Sequence, residues 1–400
     1  MSEWREHKLG DFIEVKHGFA FSGTGITDQP TRNVLVTPGN FNIGGGFKNS
    51  KFKYFNYEFP NEYTLKTGDI VVTMTDLSQE TDTLGYSAKI PMYDGINFLH
   101  NQRIGLVQFK GSEANEDFIY WLMRTKEYQS FIVGSASGTS IMHTSPSRIK
   151  EYQFLLPSRS EQAAISEVLS SLDDKIDLLH RQNKTLEQLA ETLFRQWFVE
   201  SNKGGSKLGD YVESANTGLD AIKRAPIVEY ETGLKCLRIQ DVSQGKTMDR
   251  WGNSKVEENN FKKFQLKRDD IIMARTCSPG INLFVREDLP AVFNNGLVRI
   301  RAKKDKVHPV LLNYLFKTRD FIGHIDGISG GTSVQLNMQV GDLLSYEFSF
   351  PPIEKQNEVI EQFMAFDTKM YFNQTQIRTL TQLRDTLLPK LMSGEVRVKM

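Results

Sequence analysis

Between Glu161 and Trp197 one face of the chain is a ladder: Ile165, Leu169, Leu172, Ile176, Leu179, Asn183, Leu186, Ala190, Leu193 and Trp197. The steps alternate four and three without a slip. A period of 3.5 residues suits a helix that supercoils on a partner rather than one that lies on a globular core. Shifted by 194 residues the ladder returns as Val359, Phe363, Phe366, Met370, Asn373, Ile377, Leu380, Arg384, Leu387 and Leu391. Such a seam spans roughly 48 Å at 1.5 Å per residue, more than the core of a small β-rich domain needs. The obvious partner of each seam is therefore the other.

If the two half-units are related by a pseudo-twofold axis, the helices run antiparallel and the seam mirrors about its middle. Position 165 then meets 391, 169 meets 387, 176 meets 380, and Asn183 meets Asn373. Two buried amides facing each other satisfy one another, and a lone polar pair fixes register at a cost in stability. The same register puts Arg384 opposite Leu172, where it is expected to snorkel outward.

The repeat extends beyond the seams. Lys8-Leu9-Gly10-Asp11-Phe12 reappears as Lys207-Leu208-Gly209-Asp210-Tyr211, and Leu65 to Val71 as Leu266 to Ile272. Gly105-Leu106-Val107 matches Gly296-Leu297-Val298, Phe118 to Leu122 matches Leu311 to Leu315, and Gly138-Thr139-Ser140 matches Gly331-Thr332-Ser333. The chain therefore divides into a β-rich domain over 1–156, a helix over 157–203, a second β-rich domain over 204–350 and a second helix over 351–400. The class is α+β: two similar domains, each followed by a long helix, with the helices pairing as an antiparallel coiled coil.

Short β-rich runs bounded by Gly, Asp and Asn predict strands over 33–37, 69–75, 86–90 and 105–109, with counterparts over 234–239, 270–275, 282–285 and 296–301. One amphipathic helix is expected in each domain, over 116–131 and 309–325. Ser158 and Glu161 form a capping box opening the first seam helix. Gly204-Gly205 is the linker into the second half, and Pro389 should kink or end the second helix. Gly44-Gly45-Gly46 reads as a flexible turn, its spacing wrong for a phosphate loop.

No catalytic constellation is visible. There is no HExxH, no dinucleotide fingerprint after a strand, and Cys236 and Cys277 have no metal-type spacing. Pro351-Pro352-Ile353 lacks the Asn and the aromatic of an amino-methyltransferase motif. Without an apolar leader or a run of about eighteen apolar residues, the chain reads as cytoplasmic, with no membrane partner. Formal net charge is +0, so no global field recruits nucleic acid, although 204–350 carries 21 Lys+Arg against 18 Asp+Glu.

What remains is recognition. Polar and basic loop residues suited to groove edges and phosphates are Asn42, Lys48, Lys51, Thr75, Ser78, Thr139, Ser140 and Arg148 in the first half. In the second they are Lys223, Arg224, Arg250, Arg275, Asn282, Asn294, Thr332, Ser333, Gln335 and Asn337. The repeated Gly-Thr-Ser is the best of them, since a short loop of this kind lets backbone N–H groups approach a phosphate.

The ordered set of motifs resembles the specificity subunits of type I restriction-modification enzymes over nearly the whole chain. It comprises the paired half-units, Leu65-Lys66-Thr67-Gly68-Asp69-Ile70, Gly138-Thr139-Ser140, and Leu156-Pro157 followed by Glu161-Gln162. It also includes Leu193-Phe194-Arg195-Gln196-Trp197-Phe198 and the run Leu383 to Glu395. The second half departs mildly, with Lys355-Gln356 for Glu161-Gln162 and Asp269 for Gly68. The resemblance implies that each β-rich domain reads one half of a bipartite double-stranded DNA target. It implies that the helices hold the domains apart and dock two methyltransferase subunits. Those would carry S-adenosylmethionine, and restriction subunits would add ATP and magnesium chemistry; this chain would hold no cofactor and catalyse nothing. Two other readings are a protein-binding scaffold without its own DNA specificity, supported by the neutral charge, and a self-sufficient methyltransferase, opposed by the missing motifs.

Overall fold

The computed structural model describes residues 4–76, 78, 81–138, 141–200, 204–329 and 337–399. The chain forms two compact units. The first is built from Met1–Leu178 and Gln376–Met400, the second from Leu179–Thr375. Each unit thus takes one half of each long helix: the central one, Arg159–Phe194, and the C-terminal one, Ile360–Met392.

In the first unit a four-stranded antiparallel sheet has the order Ile13–His17, Ile104–Phe109, Ile70–Thr73, Ser87–Lys89. A second sheet has the order Ile26–Thr27, Lys53–Phe55, Asn33–Val36, Asn97–His100, Thr64–Leu65, with Asn33–Val36 and Asn97–His100 parallel. Strand Ile70–Thr73 shows why the layers stack this way. Successive side chains of a strand point to opposite faces. Ile70 and Val72 enter a core shared with the helices, with Phe118, Trp121, Ile165, Leu169, Leu388 and Leu391. Val71 enters the other core, against Val34, Val36 and Phe98 of the second sheet. Burial on both faces explains the unbroken β-branched run in the sequence.

The second unit repeats the plan. One sheet orders Val212–Thr217, Leu297–Ala302, Ile271–Ala274, Asn282–Phe284; the other orders Ile227–Val228, Gly252–Ser254, Lys235–Leu237, Ala291–Phe293, again with one parallel pair. Ile271 and Met273 face the helices, with Phe194, Phe198 and Phe363, while Ile272 and Ala274 face the second sheet. The expected strands are present in both units; six are shorter than expected, Ile104–Phe109 begins one residue earlier and Leu297–Ala302 is displaced by one residue.

The long helices pack in opposite directions within each unit. In the first, Ile165 and Leu169 share a core with Leu388 and Leu391. In the second, Ala190 and Phe194 share one with Val359 and Phe363. Ile165, Leu169, Ile176, Leu179, Phe363, Met370, Asn373 and Ile377 are buried. Leu172, Asn183, Leu186, Leu193, Phe366, Leu380 and Leu387 are half-buried. Asn373 Nδ2 donates to Asn183 Oδ1 at 2.8 Å, the amide pairing expected from the mirrored seam. The capping box is also formed: the Glu161 carboxylate accepts from the Ser158 N–H, and Ser158 Oγ accepts from the Glu161 N–H.

Five expectations are corrected. The single amphipathic helix of each domain is two: Glu116–Leu122 then Lys126–Gly134, and Pro309–Leu315 then Arg319–Ile328. Thr125 and Thr318 each cap the second helix by accepting from an N–H three residues on, which breaks the run. Trp197 leaves the seam, because a π-turn over Arg195–Val199 adds a residue to the register. Trp197 is 41% exposed while Phe198, at 1%, takes its place. Arg384 does not reach for solvent but bonds Asp173. Pro389 does not end its helix, which continues to Met392; it lies in the last turn, and Gly394, at φ +76°, makes the stop. Gly44-Gly45-Gly46, with φ of 83°, 84° and 88°, is a docked turn: Gly46 N donates to Ser87 O at 2.8 Å and Gly44 O accepts from Arg124 Nε.

Candidate nucleic-acid interface

Each unit gathers polar loop residues at one end of its four-stranded sheet, and a repeated frame of backbone hydrogen bonds holds them. In the second unit strand Ile271–Ala274 runs out at Arg275, whose N donates to Gly296 O at 3.0 Å and whose O accepts from Met338 N at 2.8 Å. In the first, Met74 N donates to Arg103 O at 2.9 Å and Met74 O accepts from Thr144 N at 3.0 Å. Beside this, Leu219 N donates to Phe293 O and Asn295 N to Leu219 O; in the first unit Phe19 N donates to His100 O and Gln102 N to Phe19 O. The turn before each is a glycine for a steric reason. A Cβ on Gly18 would lie 2.2 Å from Asn101 O, and one on Gly218 2.2 Å from Phe293 O. Gly18 and Gly218 are 200 residues apart, within the 191 to 201 that separate the matched motifs, so the sequence repeat itself pairs them.

The side chains on this frame differ between units. Arg275 Nη2 donates to Asn337 Oδ1 at 3.0 Å, Nε to Met338 O at 3.3 Å and Nη1 to Asn295 O at 3.4 Å. Its counterpart Met74 is buried, and there Thr75 Oγ1 and exposed His143 Nδ1 lie 3.1 Å apart. Asp76, next in the chain, is buried, which alone would raise its pKa. Hydrogen bonds from Ser78 and Thr83 outweigh that and hold the carboxyl below its ordinary value. After Leu219 the loop carries exposed Lys223 and Arg224. Asp220 accepts from the Lys223 N–H, Arg224 and the Ile222 N–H, which lowers its pKa to about 2.

Thus Thr75 and Ser78 in the first unit, and Lys223, Arg224, Arg275, Asn282, Asn294 and Asn337 in the second, lie on or beside these sheet ends. The others hang elsewhere. Asn42 and Lys48 flank the glycine turn, exposed Lys51 sits beyond it at φ +54°, and Arg250 is on the turn before Gly252–Ser254. Arg148 pairs with Glu151 on helix Pro146–Lys150, which packs on Gly10 at the far end of strand Ile13–His17. Thr139, Ser140, Thr332, Ser333 and Gln335 lie outside the described residues.

Behind each interface a buried network ties the β-rich part to the helices. Asp173 and Asp367 are one repeat apart. Asp173 accepts from Arg124 at 2.8 Å and from Arg384, while Asp367 takes both Nε and Nη2 of Arg286. Arg124 also donates to Tyr120 Oη at 2.7 Å and lies over the Trp121 ring at 4.4 Å. Burial alone would raise the Asp173 carboxyl, but the two guanidiniums outweigh it and hold it below the usual range. Gln162 and Gln356 form a second pair. Gln162 accepts from Asn115 N and donates to Glu113 O and Pro157 O; Gln356 accepts from His308 N and donates to Lys306 O and Pro351 O. Among the described residues no His/Cys/Asp/Glu group could hold a metal ion, and no helix is long and apolar enough to cross a membrane.

A family model described as the type I restriction modification DNA specificity domain matches twice, over residues 1–188 and 207–382. The chain is 24% identical over 318 residues to the type I restriction enzyme MjaVIII specificity subunit of Methanocaldococcus jannaschii, covering 74% of each. It is 22% identical over 480 residues to the HindI specificity subunit of Haemophilus influenzae, covering 99% of this chain and 100% of that one. Its fold is similar to the crystal structure of a type I restriction-modification system S subunit from M. genitalium, with a TM-score of 0.62 at 16% identity, over 99% of this chain and 96% of that one.

Proposed function

The chain belongs to the type I restriction-modification DNA specificity family, and we propose that each of its β-rich domains reads one half of a bipartite, asymmetric DNA target. It is a DNA-recognition subunit, without catalysis of its own. One observation carries the finer reading: the same fold and backbone frame occur twice, with Arg275 and Asn337 where the first unit has Met74 and His143. Two equal scaffolds with unequal side chains suit two unequal half-sites.

On this reading the recognition domains are 1–156 and 204–350. The helices over 157–203 and 351–400 dock two methyltransferase subunits, which carry S-adenosylmethionine. Restriction subunits supply ATP- and magnesium-dependent chemistry, and the assembly works in the cytoplasm. Residues counted along the helices set the spacer, as half-sites about one turn, roughly 34–36 Å, apart demand fixed separation and rotation. Lys and Arg contacts to phosphate give affinity that falls with salt, and loop side chains give sequence.

The test is methylation sequencing of DNA exposed to the complex with its methyltransferase subunits. A two-part motif is expected, and exchange of residues 1–156 for another family member's domain should alter one half alone. A change in both halves, or in neither, refutes independent reading.

A further inference from the structure

We propose that Arg275 is the base-reading arginine of the second recognition domain and that it reads a guanine in the major groove; this rests on the DNA-recognition reading above. Three groups from two segments orient its guanidinium: Asn295 O from one, and Met338 O with the Asn337 side chain from the other. A guanidinium has five N–H donors. Three are engaged, one on each nitrogen, so each terminal nitrogen keeps one further N–H with which to bond guanine O6 and N7.

The orientation is built before DNA arrives, so little side-chain entropy is lost on contact. A phosphate contact would not need it, because a flexible lysine serves as well. Arg275 sits where strand Ile271–Ala274 ends, and Asn295, which it bonds, also bonds Leu219 at the root of the loop bearing exposed Lys223 and Arg224.

The comparison between units separates code from scaffold. Residue 275 makes the same two backbone hydrogen bonds as Met74, yet Met74 is buried and unable to donate. The bond partners of the frame therefore do not require arginine at 275. Asn337, the positioning residue, has His143 as its counterpart, which bonds Thr75 instead. The backbone frame is common to both units, and the side chains on it differ: Arg275 and Asn337 in the second, Met74 and His143 in the first.

The experiment compares the complete complex carrying wild-type chain, Arg275→Gln, Arg275→Lys, Asn337→Ala or the control Arg250→Gln. Methylation is sequenced genome-wide, and binding to a target duplex is measured against salt. Arg275→Gln should lose about 10- to 100-fold discrimination at one G·C pair of the second half-site, with the first half unchanged. Its salt slope should equal wild type, whereas loss of a phosphate contact would reduce it by about 0.9. Asn337→Ala should weaken the same base pair, and Arg250→Gln none. An unchanged motif in Arg275→Lys and Asn337→Ala overturns the proposal, also where Arg275→Gln fails to fold. So does a shallower salt slope with the motif intact. Absence of any bipartite motif from the wild-type complex would instead overturn the DNA-recognition reading beneath it.

Discussion

Replacing Asp173 with asparagine withdraws one carboxylate from between two guanidiniums that respond differently. Arg384 already bonds Asp385 at 2.8 Å and keeps that partner. Arg124 does not have this escape: its side chain is 3% exposed, and Tyr120 Oη and Gly44 O, both neutral, are what remain to it. Removing one partner of a buried ion pair costs about 3–5 kcal/mol, because the other charge is left uncompensated. The neutral hydrogen bonds and the Trp121 ring place the loss near the lower end, about 3 kcal/mol. Arg124→Met in the same chain removes the stranded charge, so the double variant should be more stable than Asp173→Asn alone. The two units need not unfold together, so the readout should be local. Hydrogen exchange of the Glu116–Leu122 amides, with urea titration, serves. The pH dependence follows from the depressed carboxyl. The stabilisation is complete above the unfolded carboxylate pKa of about 4 and is lost as pH falls below it. A loss under about 1 kcal/mol in Asp173→Asn, or a double variant that sums both losses, would refute the argument.

Three further outcomes are expected. Asn183→Leu alone should cost about 1–3 kcal/mol by taking the 2.8 Å partner from the buried Asn373 amide, while adding Asn373→Leu costs less than the sum of the two single variants; a double-mutant cycle in chemical denaturation reads the difference. Gln162→Ala should speed hydrogen exchange at Asn115 and leave His308 untouched, and Gln356→Ala should do the reverse, each at a cost of about 1–3 kcal/mol. Burial lowers the pKa of His100 to about 4, so the folded state holds it neutral. Its contribution is whole above the unfolded value of about 6.5 and drains away as pH falls from there to about 4, at up to about 1.36 kcal/mol per pH unit. His100→Gln should flatten that slope in first-unit melts between pH 6.5 and 5.

The ladders and the repeat were legible because both are periodic, and periodicity survives in one dimension. From them alone came the antiparallel packing and the Asn183–Asn373 bond. What escaped depends on pairs distant in sequence. Arg124 and Asp173 are 49 residues apart and Arg384 and Asp173 are 211 apart, with no local pattern to join them. Thr125 and Thr318 looked like ordinary positions in an amphipathic run, yet a hydroxyl that can accept from the next turn is enough to restart a helix. Trp197 fitted its ladder by spacing, and one extra residue in a π-turn moved it out. Among the interface candidates, residue type identified Arg275 and Asn337. Only the fold could separate them from Arg148, which the same reasoning nominated and which lies at the far end of a strand.

The division of the helices between units also has a consequence in time. The second unit is one unbroken stretch, Leu179–Thr375, and can close as it leaves the ribosome. The first cannot. Ile165, Leu169, Phe118 and Trp121 wait for Leu388, Leu391 and Met392, more than two hundred residues downstream. Contacts so far apart in sequence carry a loop-closure cost and form slowly. The domain synthesised first is therefore the one completed last. Throughout elongation its apolar helix face stays open to water, to chaperones and to neighbouring nascent chains.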